Sequence, residues 1–251
     1  MRQIFTIAFV ATLLCSCNQQ TKNETKEKEV AMLLDTQKTN SQDEWDILFD
    51  GASLEGWHAY GQTSLSEHWK IEDYALVFYP PKNRKQGESY NLVTNNTYTN
   101  FVLSVEWRIS EGGNSGIFWG VFEDEKYGQP YETGPEIQVL DNDKHPDGKN
   151  GTSHQAGALY DMVSPSKDVT KPVGQWNVCE ITVNHKINEG KVVLNGEEIT
   201  SFKVNGSEWD AMVAKSKFAS WQGFGKYPTG KIGLQDHGDK VSYRNIKIKE
   251  L

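Results

Sequence analysis

The chain of 251 residues carries a formal net charge of -8, and 11% of its residues are aromatic. An acidic chain without a basic cluster lacks the electrostatic footprint of a nucleic-acid-binding protein, so a nucleic-acid partner is excluded. The aromatic content is typical of β proteins that offer ring faces to sugars, although aromatic rings also fill ordinary cores.

The N-terminus has the pattern of a secretory signal. A short positive region is followed by an apolar run over residues 4–14, which is too short to span a bilayer as a mature helix. The sequence Leu-Cys-Ser-Cys at 14–17 resembles a bacterial lipobox, in which the last cysteine receives a lipid after cleavage. We therefore expect a signal peptide at 1–16, a lipid on Cys17 and a location in the cell envelope. A plain secretory signal with two incidental cysteines is the alternative.

The rest of the chain divides into a linker and one domain. Residues 17–44 are rich in Lys, Glu, Thr, Gln and Asn, and such a composition cannot bury enough apolar surface to fold. We expect a lipidated flexible leash there, and one large β domain over residues 45–251.

Cys179 is the single cysteine expected in the folded domain, so no intramolecular disulfide is predicted. It alternates with Ile181 and Val183 along a strand pattern. A buried structural thiol is therefore favoured over a nucleophile.

Period-two alternation dominates the domain and predicts strands. Asn195-Gly196 predicts a two-residue hairpin turn, and residues 207–218 form the one helical pattern. Many similar strands joined by Gly- and Asn-rich loops predict an all-β, two-sheet jelly-roll sandwich with one short helix. The predicted strands are 101–109, 115–122, 136–141, 176–184, 191–200, 231–236 and 241–249.

Three of these strands have one apolar and one polar face, and the polar faces need a reason. If the three strands are neighbours in one sheet, their polar side chains converge on a surface suited to sugars, with Trp119 nearby for stacking. A merely solvated face is the alternative. The polar residues are Glu106, Arg108, Glu136, Gln138, Gln235 and His237.

The loop over residues 141–148 is rich in oxygen ligands but fails the spacing of a calcium loop. Asp141, His145 and His154 could instead hold a divalent transition metal. Asp and Asn side chains that cap turns are the commoner explanation.

Several short motifs carry a family resemblance. They include Leu-Phe-Asp-Gly at 48–51, Gly-Asn-Ser-Gly-Ile at 113–117, Gly-Ala-Leu-Tyr-Asp at 157–161, Ser-Lys-Phe at 216–218 and Gly-Leu-Gln-Asp-His-Gly at 233–238. The chain resembles the 3-keto-disaccharide hydrolase domain family over residues 45–251. The resemblance implies a concanavalin A-like jelly roll and activity on glycosides that are already oxidised to a ketone at C3.

A 3-keto group acidifies the C2 proton, so the glycosidic bond can break by elimination followed by addition of water. Such a site needs a base near C2, a donor for the enolate oxygen and an acid for the leaving group. We assign His154 or His237 as base, Arg108 as enolate stabiliser, and Glu136 as acid or as the orienter of a histidine. Each could equally be structural. The substrate contacts expected beside them are Glu106, Trp119, Gln138, Asp141, Tyr160, Asp161 and Gln235.

Three functions remain open: a hydrolase of 3-keto-glycosides, a non-catalytic carbohydrate-binding lipoprotein, and an ordinary two-carboxylate glycosidase. Each implies a carbohydrate partner, and the lipid anchor adds the membrane. The last function would favour closely spaced acidic pairs on one strand. The chain has Gln138 two residues after Glu136 instead, which weighs against it.

Overall fold

Two antiparallel β-sheets pack against each other around one hydrophobic core. The structure is a computed structural model, and it describes residues 44–85 and 87–251. The predicted signal peptide, the lipidation of Cys17 and all of the predicted leash except its last residue lie outside the described residues. Residues Trp45–Leu251 form one compact unit.

The described residues form thirteen strands, one α-helix and three short 3₁₀ turns. The 3₁₀ turns span Pro130–Glu132, Pro146–Lys149 and Thr152–His154, and the helix, α1, spans Gly206–Lys215. The strands are β1 (Asp46–Phe49), β2 (Trp57–Ala59), β3 (Trp69–Glu72), β4 (Ala75–Phe78), β5 (Leu92–Thr94), β6 (Phe101–Ile109), β7 (Asn114–Val121), β8 (Glu136–Leu140), β9 (Asn177–Asn184), β10 (Glu189–Leu194), β11 (Glu197–Phe202), β12 (Lys231–Leu234) and β13 (Val241–Glu250).

The large sheet has eight strands in the order β11-β10-β9-β6-β13-β4-β3, with β1 also paired to β13. The small sheet has five strands in the order β2-β5-β12-β7-β8. This architecture confirms the predicted all-β, two-sheet sandwich with one helix. The strand order also separates β6 from β7, β8 and β12, which matters for the site.

Alternation along the strands explains which residues enter the core. In β9, Cys179, Ile181 and Val183 are buried and the residues between them are more exposed, which confirms the buried position expected for the thiol. Asn195 and Gly196 both have positive φ, at 52° and 86°, as a tight hairpin turn between β10 and β11 requires. The hairpin prediction is confirmed.

The helix ends earlier than its pattern predicts. Ser216 follows α1, and its hydroxyl donates to the carbonyl of Val213 and accepts the backbone N–H of Phe218. Phe218 is buried beyond the helix end rather than on it. The five short strands β1–β5 were not predicted, because three or four residues carry too little alternation to register. No helix among the described residues is long and apolar enough to cross a bilayer.

A buried hydrogen-bond chain links the two sheets directly beneath the site described below. The Tyr243 hydroxyl, from the large sheet, lies 2.7 Å from Ser115 Oγ on β7, and Ser115 Oγ donates to the carbonyl of Gln235 at 2.6 Å. Tyr243 and Ser115 are both fully buried. The end of β12 is therefore held from below by a polar contact as well as by packing.

Candidate active site

A pocket of about 230 Å³ opens on the face of the small sheet that points away from the core. Strand alternation sends Ser115 and Ile117 of β7 into the core and leaves Asn114 and Gly116 on the pocket side. The strands contribute Asn114, Glu136 and Gln138, and the segments around them contribute Tyr131, Tyr160, Lys217, Phe218, Trp221, Gln235 and His237.

Glu136 forms the floor of the pocket, and a neighbouring glycine makes room for it. Glu136 is 7% exposed, and its Oε2 lies 3.3 Å from the Gln235 side-chain nitrogen. A Cβ added at Gly116 would overlap the Glu136 carboxyl. The glycine in the 113–117 motif is therefore needed for close approach of a side chain rather than for an unusual φ.

The environment of Glu136 favours its neutral form. Burial raises the pKa of the carboxyl to about 8, against the lowering influence of the Lys217 charge; the Asp147 carboxylate raises it further, and the Gln235 hydrogen bond lowers it. Desolvation dominates because the charged form loses its hydration without gaining an adjacent cation. At neutral pH the pocket floor therefore presents a carboxylic acid that can donate a proton.

Two buried acceptor atoms in the pocket wall have no partner among the described residues. They are Asn114 Oδ1 and Gln235 Oε1. Leaving a buried acceptor unsatisfied costs roughly 1–3 kcal/mol. Two such atoms facing one small pocket indicate a ligand that supplies hydroxyl or N–H donors.

Lys217 brings a positive charge to the pocket rim. Its ammonium nitrogen lies 4.0 Å from the centre of the Tyr160 ring. Its backbone N–H donates to Asp161 Oδ2 at 2.7 Å, and Asp161 adopts a left-handed backbone with φ 59°. Asp161 thus fixes the chain that carries the lysine, and it does so from behind the pocket.

His154 holds this arrangement together. Its Nε2 lies 3.0 Å from Asp161 Oδ1, and its Nδ1 lies 2.8 Å from Asp147 Oδ1. The Tyr160 hydroxyl donates to the other oxygen of Asp147 at 2.8 Å. With both ring nitrogens bonded to carboxylates, His154 has no free lone pair for a substrate proton. Its geometry is that of a structural bridge and contradicts the expected role as base.

His237 is the histidine that the structure brings to the pocket. Among the described residues none hydrogen-bonds to its ring, which stands edge-on to His145 with 5.9 Å between centres. His237 is exposed at the pocket rim, and desolvation by the neighbouring groups lowers its pKa below its usual 6.5, with the Asp239 charge opposing and His145 assisting. Its neutral imidazole therefore has a free lone pair at neutral pH.

The chain before His237 is fixed by an ion pair. Asp236 is buried, and Arg84 donates to its two oxygens at 2.6 and 2.9 Å. The backbone N–H of Tyr90 and that of Gly238 also donate to this carboxylate. Bidentate geometry of this kind restricts orientation, so it holds the His237 backbone at the pocket rim.

Two of the predicted site residues lie on the wrong sheet. Glu106 and Arg108 are on β6, which pairs with β9 and β13 and not with the strands of the small sheet. Glu106 accepts from Arg244 Nε at 2.7 Å, and the Arg108 guanidinium lies 4.7 Å from the Trp176 ring centre. The expectation that these residues converge with Glu136 was wrong, because face sorting cannot tell which sheet a strand joins.

Trp119 is also unavailable to a ligand. It occupies a core-facing position of β7, is 4% exposed and stacks on Phe202 at 5.8 Å. The interpretation of Trp119 as a sugar-stacking ring was therefore wrong. The aromatic rings that line the pocket are instead those of Tyr131, Tyr160, Phe218 and Trp221. The rings of Tyr131 and Trp221 lie 5.8 Å apart.

Asp141 lies outside the pocket and organises the loop that follows β8. Its carboxylate accepts the backbone N–H groups of Gly112, Asp143 and Lys144. Turn capping, the commoner explanation of this residue, fits these contacts. Asp141 and His154 do not share a metal-binding group with His145.

A different trio comes closest to a metal site among the described residues. Potential ligand atoms of His145, His237 and Asp239 lie within 4.8 Å of one another. However, His145 Nδ1 accepts the backbone N–H of Asp147 at 3.1 Å, so the proton of the neutral ring sits on Nε2. Only two of the three residues then offer a free lone pair, which does not fit a resident divalent metal.

The sequence of the chain matches a known protein family over most of its length. The family model described as the 3-keto-alpha-glucoside-1,2-lyase-like domain matches residues 44–249. The chain belongs to this family. The earlier resemblance to the 3-keto-disaccharide hydrolase domain family is thereby confirmed.

Several relatives resemble this 3-keto-alpha-glucoside-1,2-lyase-like chain over most of its length. A protein of Bacteroides thetaiotaomicron named 3-keto-disaccharide hydrolase is 34% identical over 260 residues, which is 94% of this chain and 88% of the relative. A crystal structure of a candidate glycosyl hydrolase from Parabacteroides distasonis is 32% identical with a TM-score of 0.74, and covers 82% of this chain and 94% of its own. A second one from that organism is 27% identical with a TM-score of 0.61, and covers 83% and 100%.

Sequence reasoning missed several residues of the pocket. Lys217 and Asn114 both lie in short motifs that support the family resemblance, at 216–218 and 113–117, so motif position was the signal that could have found them. Tyr131 and Trp221 lie in loops without such a motif. Glu136, Gln138, Tyr160, Gln235 and His237 do come together as predicted, and Asp161 supports the site from behind.

We expect Glu136→Gln to be more stable than the wild-type protein at pH 8 and nearly equal to it at pH 4. The folded-state pKa of about 8 lies above the usual 4.5, so unfolding releases a proton between these values and wild-type stability falls as pH rises through that window. The neutral amide has no proton to lose. Thermal unfolding across the pH range measures the difference, and Glu55→Gln, at an exposed position, is the control. Parallel curves for wild-type and Glu136→Gln would contradict the raised pKa.

Proposed function

We propose that the chain cleaves glycosides already oxidised to a ketone at C3, by C2 proton abstraction, elimination of the C1 substituent and hydration. The observation that carries this proposal is the buried, protonated Glu136 in one small pocket with the neutral His237 and the Lys217 ammonium. Membership of the family and the relative named 3-keto-disaccharide hydrolase support the choice of substrate.

In the first step, His237 removes the C2 proton and an enolate forms. Its imidazole is the free base at the pocket, since His154 is bonded on both nitrogens. Lys217, which replaces Arg108 in this role, stabilises the negative charge that develops on the former ketone oxygen. The ammonium and its support through Asp161 are in place before the reaction, so little reorganisation is needed.

In the second step, the enolate electrons expel the C1 substituent and Glu136 protonates the departing oxygen. A C1–C2 enone remains. Water then adds at C1, the Glu136 carboxylate accepts a proton from that water, and the imidazolium returns a proton to C2. Both groups recover their starting states, and the net reaction is hydrolysis.

The pocket gives less support to the two alternatives. A two-carboxylate glycosidase needs a second acidic side chain across the scissile bond, and Glu136 is the one carboxylate among the described residues that line the pocket. A lectin would need the hydrogen-bonding groups but gains nothing from a carboxyl with a pKa of about 8.

Incubation of the protein in heavy water with a 3-keto disaccharide and with its unoxidised parent tests the reaction. We expect 3-ketoglucose labelled with deuterium at C2 from the oxidised substrate alone, detected by mass and proton spectra. Glu136→Gln and His237→Gln are expected to lose at least about a hundredfold in rate, as removal of acid–base groups does. Cleavage of the parent sugar would favour the glycosidase, and binding without product would favour the lectin. Loss of turnover with a chelator would reassign His237 as a metal ligand.

We expect kcat/KM to follow a bell-shaped pH profile. Activity should fall on the acidic side as His237 takes up a proton, at a pH lower than an ordinary imidazole would give, and above about pH 8 as Glu136 loses its proton. Glu136→Gln should abolish the alkaline limb and keep the acidic limb at a lower rate. Initial rates in constant-ionic-strength buffers measure both limbs, and an alkaline limb that persists in Glu136→Gln would contradict the role of this residue as acid.

We also propose that the domain works at the cell envelope, tethered by a lipid on Cys17. The lipobox-like Leu-Cys-Ser-Cys at 14–17 and the polar stretch after it support this proposal. Expression with a palmitate analogue should label the wild-type chain and not Cys17→Ser, which should also leave the membrane fraction. Labelling of both chains to the same extent would overturn the anchor.

A further inference from the structure

We propose that the leaving group of the substrate is a neutral sugar ring, and that it lies in a second cavity that continues from the active-site pocket past His237. The proposal rests on the proposed function and adds where the part of the substrate beyond C1 is bound. The cavity has a volume of about 560 Å³. Besides residues that it shares with the first pocket, its lining includes the charged residues Arg84, Lys85, Glu88 and Asp236 and the amides Asn91 and Gln129.

The two cavities are continuous. Tyr131, Gln235 and His237 line both of them. The first cavity, at about 230 Å³, is smaller than the roughly 300–1,000 Å³ typical of pockets for drug-sized ligands, so it suits one ring. A disaccharide whose ketone ring fills the first cavity therefore extends its second ring along this trough, with His237 at the junction.

The junction offers hydrogen-bonding groups that protein atoms leave unused. Gln235 Oε1 is buried without a partner. Asn91 Nδ2 donates to Gln129 Oε1 at 3.2 Å, which orients the Gln129 amide so that its nitrogen is left as a donor toward the cavity. An acceptor and a donor in the lining of one cavity match sugar hydroxyls, which both donate and accept.

Tyr131 supplies an apolar wall for the second ring. It is 36% exposed, lines both cavities and packs at a tilt against Trp221. Its position lets one ring contact the apolar faces of sugars on either side of the junction. Aromatic rings with one wet edge are well suited to such amphipathic ligands.

The charges around the trough favour a neutral leaving group. Arg84 is neutralised by its bidentate bond to Asp236. Lys85 and Glu88 carry opposite charges, and the Lys85 backbone N–H donates to the Glu88 carboxylate, so the lining of the trough carries no net charge. Beyond Gln129 the trough enters a third cavity whose lining includes Glu123, Asp124 and Glu125. This acidic end disfavours uronate or sulfated sugars by like-charge repulsion.

The test compares two substrates with the same ketone ring: methyl 3-keto-glucoside, which lacks a second ring, and a 3-keto disaccharide. In Gln129→Ala we expect the ratio of kcat/KM for the disaccharide to that for the methyl glycoside to fall about tenfold, the value of one good hydrogen bond. Gln129→Glu, which exchanges the donor for a charge, should lower the ratio at least as far. Tyr74→Ala, at an exposed tyrosine on the turn between β3 and β4, should leave the ratio unchanged.

The outcomes separate this proposal from the function on which it rests. Wild-type turnover of neither ketone substrate would reject the proposed function. Turnover of both, with an unchanged ratio in both Gln129 variants at wild-type melting temperature, would overturn the leaving-group site alone. A wild-type protein that cleaves a 3-keto disaccharide with a uronate leaving group as fast as the neutral one would overturn the preference for neutral sugars.

Discussion

The burial of the Glu136 carboxyl is the constraint on which the rest of the site depends. A carboxylate without an adjacent cation is costly to desolvate, so the group stays protonated and becomes a donor at neutral pH. The position exists only because Gly116 on the neighbouring strand has no side chain. Gln235, whose nitrogen lies near the carboxyl, is held at the same level by the chain from Tyr243 through Ser115.

The charged partners come from loops that are tied down by other charges. His154 lies between Asp147 and Asp161, and these two carboxylates in turn fix the Tyr160 hydroxyl and the Lys217 backbone. Burial works against ionisation of Asp147, but hydrogen bonds from Tyr160, Asn150 and His154 lower its pKa below the usual value. The Asp147 carboxylate therefore stays charged outside the pocket lining, while the Lys217 ammonium lies at the pocket rim. The strands supply rigid neutral groups, and the loops supply positioned charges.

Much of the fold could be predicted from alternation, because buried and more exposed residues alternate along all of β9 and most of β6. In β13 the alternation is regular only over residues 246–249, after a register shift. What alternation cannot give is the sheet to which a strand belongs. Glu106 and Arg108 have the same pattern as Glu136 and Gln138, yet the sandwich separates the two pairs. The prediction for Trp119 was wrong for a related reason, since composition does not show on which face of a strand an aromatic ring lies. Lys217 was missed because alternation gives no signal for an exposed lysine after a helix, and only its position in the 216–218 motif pointed to it.

The proposed reaction needs a single catalytic carboxyl group, because the ketone of the substrate makes a second catalytic carboxylate unnecessary. An ordinary glycosidase stabilises positive charge on the sugar and needs two carboxylates to do so. A 3-keto substrate develops negative charge on its own ketone oxygen, so the useful partner is a cation, and a second carboxylate near it would oppose the reaction. In the proposed reaction, Lys217 at the rim, the neutral acid at the floor and the uncharged Gln138 would form the electrostatic complement of that enolate. In the proposed mechanism, this charge pattern, more than the shape of the pocket, would favour elimination over direct hydrolysis.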